Sequence, residues 1–242
     1  MARFRAQKKE LEALLEGDDW RERLDERMDA LAREREGGPA TLANPLLALR
    51  LAKAERTAWR AAEALGRVTA RTADVSMEKA RVLMRTYMWY LNEESGNLGW
   101  GIPEAMAAAM ADNDRLAREY HTILASYVYC EEGCDGNYLD HPELRRGVFW
   151  GLGRLARARP ELVEHAQRFL VQGCKDHDAV NRGLAARVLG ILASSGRCTG
   201  PAARTALRAI SGDSSEIRVY EDGFLRDATV GELAAEALAQ MA

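Results

Sequence analysis

Apolar positions recur at intervals of three and four along nearly the whole chain, which predicts a series of amphipathic helices. Leu11, Leu14 and Leu15 precede Gly17, while Trp20, Leu24, Met28 and Leu31 follow it. Residues 1–36 therefore read as two charged amphipathic helices broken near Gly17-Asp18. Ala80, Leu83, Met84, Tyr87, Met88 and Leu91 form one continuous stripe, with Ser76 placed to cap its start. Leu116, Tyr120, Ile123, Leu124 and Tyr127 form another. Pro103, Pro142, Pro160 and Pro201 stand where helices should begin, because the missing proline N–H costs nothing in a first turn.

Two stretches depart from this period. Residues 37–45, from Gly37-Gly38-Pro39 to Asn44-Pro45, read as a linker, since glycine and proline both disfavour continued helix. The helices before it are then an appendage that folds back on the rest or pairs with a second copy of the chain. Residues 216–227 alternate apolar and polar side chains around Asp222-Gly223, the signature of a two-residue hairpin turn. That turn would pair Tyr220 with Leu225 and Arg218 with Asp227. Thr229 and Glu232 follow with the spacing of a capping box. The hairpin reads as a cap over an exposed apolar end.

Three helical segments end in Leu-Gly, at Gly66, Gly153 and Gly190. The last two each begin shortly after an Asp-His pair, Asp140-His141 and Asp176-His177, which an N-cap role would explain. The pattern of Asp, an arginine a few residues on, and a small-residue-rich helix ending in Leu-Gly resembles the HEAT-like repeat, including the variety described in phycobilin lyases. The resemblance runs from about Pro45 to the C-terminus, 46–242. It implies an all-α, right-handed α-α superhelix, a solenoid, here with one small β-hairpin near its C-terminus. The glycines and alanines of these segments would let neighbouring helices approach closely.

Hydrophobic residues make up 47% of the 242, enough for a substantial core. The 34 basic and 37 acidic side chains nearly cancel, leaving a formal charge of −3, so no global field draws the molecule to nucleic acid. Met1 to Glu10 holds Arg3, Arg5, Lys8 and Lys9 rather than a signal sequence, and no apolar run reaches the roughly 18 residues of a membrane span. A cytoplasmic protein is expected. The cysteines (Cys130, Cys134, Cys174 and Cys198) read as thiols. Cys130, Cys134 and His141 make an incomplete zinc set, and neither a metal nor a cofactor is expected.

The stretch from Met88 to Gly101 is chemically the richest. Trp89, Glu93, Glu94, Asn97 and Trp100 bring aromatic, acidic and amide groups into one inter-helix corner, able to form a pocket for a cation or a planar group. Arg145, Arg146, Trp150 and Arg154 follow Pro142, and positions 146, 150 and 154 share a helix face that could look into a groove and meet Glu93, Glu94 or Glu119. The HEAT-like resemblance implies a binding scaffold or adaptor with a protein partner. It also implies two alternatives: a HEAT-repeat DNA glycosylase acting on alkylated bases, or a lyase-like accessory holding a prosthetic group.

Overall fold

The computed structural model describes residues 2–33, 37–93, 99–129, 136–198 and 200–241. The chain forms two compact units, 1–117 and 118–242. The first holds α1 (Ala2–Glu16), α2 (Trp20–Arg33), a 3-10 turn (Pro39–Leu42), α3 (Ala43–Leu49), α4 (Glu55–Val75), α5 (Met77–Asn92) and α6 (Ile102–Asp112). α7 (Asp114–Ser126) begins in the first unit and ends in the second. The second continues with α8 (Pro142–Ala158), the 3-10 turns Pro160–Leu162 and Glu164–Ala166, α9 (Gln167–Gly173), α10 (Ala179–Ser194) and α11 (Pro201–Ile210). Strands β1 (Glu216–Glu221) and β2 (Phe224–Thr229) and helix α12 (Val230–Ala239) complete it.

In the first unit the N-terminal helices are built onto α3 and α4. Leu15, Trp20, Leu24, Met28 and Leu31 are buried, so the apolar face of the hairpin is covered by its own chain. Arginines of α4 fix the register. Arg67 donates to Asp25 and Arg71 to Asp29, while Glu63 accepts from Arg21, each pair 42 residues apart. Because 21, 25 and 29 meet 63, 67 and 71 in the same order, α2 and α4 run parallel. Arg60, fully buried, donates to the carbonyls of Leu15 and Gly17 and satisfies acceptors that the end of α1 leaves without helical partners. The 37–45 stretch belongs to this core: Pro39 and Leu42 are buried, and α3 starts at Ala43 within it. The division between compact units falls at 117/118, well beyond that stretch.

Close helix approach is where the small residues matter. A Cβ at Gly66 would lie 2.5 Å from the Ala105 carbonyl oxygen on α6, and one at Gly190 would lie 2.9 Å from the Ala237 backbone on α12. Helices α4 with α6, and α10 with α12, therefore pack nearly backbone to backbone, and α10 also packs on α8. Pro103, Pro142 and Pro201 occupy first-turn positions of α-helices, whereas Pro160 opens a 3-10 turn. Ser76 caps α5 by accepting from the Lys79 amide.

The hairpin has the register that the alternation predicts, with Tyr220 opposite Leu225 and Arg218 opposite Asp227. Asp222 and Gly223 both take positive φ, 50° and 93°, as the tight turn requires. Ile217 and Val219 on the inner face of β1 are buried, and Ile217 lies over Gly183 of α10. Thr229 and Glu232 form the capping box of α12.

Candidate functional site

The sequence-nominated residues fall in both units. Trp89, Glu93 and Trp100 belong to the first, and Glu119, Arg145, Arg146 and Trp150 to the second. Glu94 and Asn97 lie outside the described residues, as do Cys130 and Cys134.

In the first unit Trp89 and Trp100 are 53% and 42% exposed. Glu93 is exposed and forms the C-cap of α5, its amide donating to the Trp89 carbonyl. Beneath them lies a buried polar group. Arg50 donates to the Trp100 carbonyl and its guanidinium stands 5.8 Å from the Tyr90 ring centre, while Trp89 lies 5.4 Å from Tyr90. Gly101, at φ 73°, lets the backbone pass over Arg50 into α6. Glu104 in the first turn of α6 is buried, and burial raises its carboxyl to about 7 despite the nearby Arg50.

In the second unit Arg145 and Arg146 are both held in ion pairs. Arg145 donates to the Leu139 and Asp140 carbonyls at 2.7 and 2.8 Å and to Asp176 at 3.1 Å. Arg182, one repeat later, donates to the Asp176 and His177 carbonyls at 3.0 Å and to Asp213 at 2.9 Å. Each arginine thus reaches back to the loop before its own helix and forward to an aspartate in the loop that leads to the next element. Arg146 donates to Asp178, which also caps α10 by accepting from the Asn181 amide. Neither Asp-His pair supplies a side-chain cap: His141 precedes α8 without a side-chain cap bond, and the cap of α10 is Asp178. Trp150 is buried under the hairpin, its indole N–H donating to the Tyr220 carbonyl at 2.8 Å. Glu119 is exposed on α7.

A concave feature lies further along the same helices. A cavity of about 490 Å³ opens between the C-terminal ends of α8 and α10, the hairpin turn and α12. Ala156, Gly190, Ile191, Leu233 and Ala237 give it apolar walls, and Arg157, Arg187, Arg226, Glu221 and Glu236 give it charge. Burial would raise the Glu221 carboxyl, but Arg157 and Arg187 hold it below the ordinary carboxylate value. Burial likewise lowers Arg187, against the pull of Glu221.

Sequence reasoning missed these residues, although one signal pointed to them. Ile217, Val219 and Glu221 share the inner face of β1, so the third member of an inward row is a carboxylate, which calls for cationic partners.

No family model matches the chain, and no curated protein matches it. Solved structures do. A designed armadillo repeat protein in complex with the peptide (KR)4 is 15% identical with a TM-score of 0.56, covering 97% of this chain and 91% of that one. Computationally designed armadillo repeat proteins for modular peptide recognition give 14% and 0.50, over 96% and 99%. An engineered protein gives 16% and 0.53, over 96% and 98%. At such identities the likeness carries the fold alone: this chain has an armadillo-like α-helical repeat fold with a two-stranded antiparallel hairpin near its C-terminus.

Proposed function

We propose that the protein is a non-catalytic binding scaffold that holds a segment of a protein partner in the cavity between α8, α10, the hairpin and α12. The observation that carries this reading is the composition of that cavity. Apolar walls stand beside guanidinium groups that reach the surface, the mixture of hydrophobic contact and directional donors that peptide recognition uses. Designed armadillo repeat proteins that bind peptides share the fold, which supports the reading by analogy. The repeats are read as HEAT-like, on the recurrence of Arg145 with Asp176 and Arg182 with Asp213. In this reading Arg145, Arg146 and Trp150 build the cavity's supports, while Trp89, Glu93 and Trp100 form a separate exposed face on the first unit.

Selection of a random peptide display library against the full chain tests the proposal. Enriched peptides should bind wild type and lose binding to Ile191→Arg, which places a charge on the apolar wall. A selection that enriches nothing, or peptides that bind this variant equally well, would overturn it.

A further inference from the structure

Three guanidinium groups share one carboxylate at the turn end of the hairpin. Arg157 of α8 and Arg187 of α10 both donate to Oε1 of Glu221, and Nε of Arg226 stands 3.8 Å from Oε2. The other ion pairs there are longer than hydrogen bonds: Arg157 to Asp222 at 3.9 Å and Arg226 to Glu236 at 3.7 Å. Glu221 thus accepts hydrogen bonds from two of these cations and pairs with the third at longer range, while each guanidinium carries five N–H donors. The surplus donors lie beside the cavity, whose apolar walls include Ile191 and Leu233.

A ligand that supplies acceptors complements this arrangement. Carboxylate matches the planar fork of arginine in paired geometry, and an apolar neighbour matches the walls. A nucleic-acid backbone matches poorly, because a row of phosphates needs a row of cations, whereas these three guanidinium groups converge on one carboxylate. We propose that the cavity recognises an acidic side chain flanked by apolar residues in the partner's peptide segment, with Glu221 holding the three arginines in place and competing for them. This proposal rests on the scaffold reading above.

The experiment is isothermal titration of the full chain with three short synthetic peptides in which leucine alternates with glutamate, glutamine or lysine. The glutamate peptide should bind at least about tenfold more tightly than the other two. Its affinity should fall as salt rises from about 50 to about 300 mM, because the partly exposed charges are screened. Glu221→Gln should tighten glutamate-peptide binding several-fold by removing the internal competitor, an outcome that a purely structural Glu221 would not give. Arg157→Ala with Arg187→Ala should weaken it by about tenfold or more, with circular dichroism confirming that both variants fold. Should either one fail to fold, the wild-type peptide and salt series decides alone. Glutamine or lysine peptides that bind as tightly as the glutamate peptide would overturn the carboxylate proposal and leave the scaffold reading standing. Displacement of the glutamate peptide by inorganic phosphate at equal concentration would also overturn it, as the mark of a plain anion site. If none of the three binds, the carboxylate proposal fails; the scaffold reading fails with it only when the display selection is empty as well.

Discussion

Glu104 shows how much one buried group can do. It lies in the first turn of α6, where the helix dipole favours an acid, yet one carboxylate oxygen meets no donor among the described residues. Burial raises its carboxyl to about 7. The unfolded chain ionises near the ordinary carboxylate value, so this group's contribution is intact below about pH 4.5 and is lost as pH rises through about 7. Glu104→Gln removes the ionisation and should be about 2 kcal/mol more stable than wild type at about pH 8, with little difference at about pH 5. Urea unfolding at both pH values checks this, and equal differences at the two would contradict it. None of this was legible in the sequence, because Glu104 follows Pro103 like any acid in a first turn. Trp89 and Trp100 drew notice by residue type, and what the structure adds is that both are exposed. Arg146 and Trp150 stand four residues apart on α8. Spacing alone could not show that Asp178 and the Tyr220 carbonyl, 32 and 70 residues further on, already occupy them.

Among the elements, the hairpin and the helix starts were the most legible, since turn chemistry and capping act within a few residues. Asp222-Gly223 fixed the register of β1 and β2, and Thr229 with Glu232 fixed the start of α12. Pairing between repeats was not legible, because it joins residues far apart in the chain. The role of Arg182 is the clearest case. Its loss would leave two loop carbonyls without their donor, and would leave Asp213, held down to about 2 by hydrogen bonds from Ser215 and by Arg182, with Ser215 alone. Arg182→Ala should therefore cost about 1–3 kcal/mol. Arg23→Ala removes only an exposed contact 3.8 Å from Asp19 and should cost less than about 0.5 kcal/mol. Thermal melts of the two variants compare them, and similar losses would contradict the inter-repeat role of Arg182. Helix approach gives a second check. Gly66→Ala would push a methyl group to within 2.5 Å of the Ala105 carbonyl oxygen, and should lower stability by about 1–3 kcal/mol although alanine is the better helix former.

For the whole molecule, the all-helical repeat architecture followed from periodicity, Leu-Gly endings and prolines at helix starts. The organisation into units 1–117 and 118–242 did not, because the composition break at 37–45 is covered by packing: Pro39, Leu42 and Leu46 are buried with the helices on either side. Among the described residues no helix is long and apolar enough to cross a membrane. The cavity escaped the sequence because its parts come from α8, α10, the hairpin turn and α12, which meet only in the folded second unit. Hydrogen exchange of the full chain, with and without a peptide enriched by selection, tests the scaffold reading most directly. Binding should slow exchange at the C-terminal ends of α8 and α10, across the hairpin turn and along α12, and leave α5 unchanged. Slowing confined to α5 and the Trp100 region, or none at all, would contradict it.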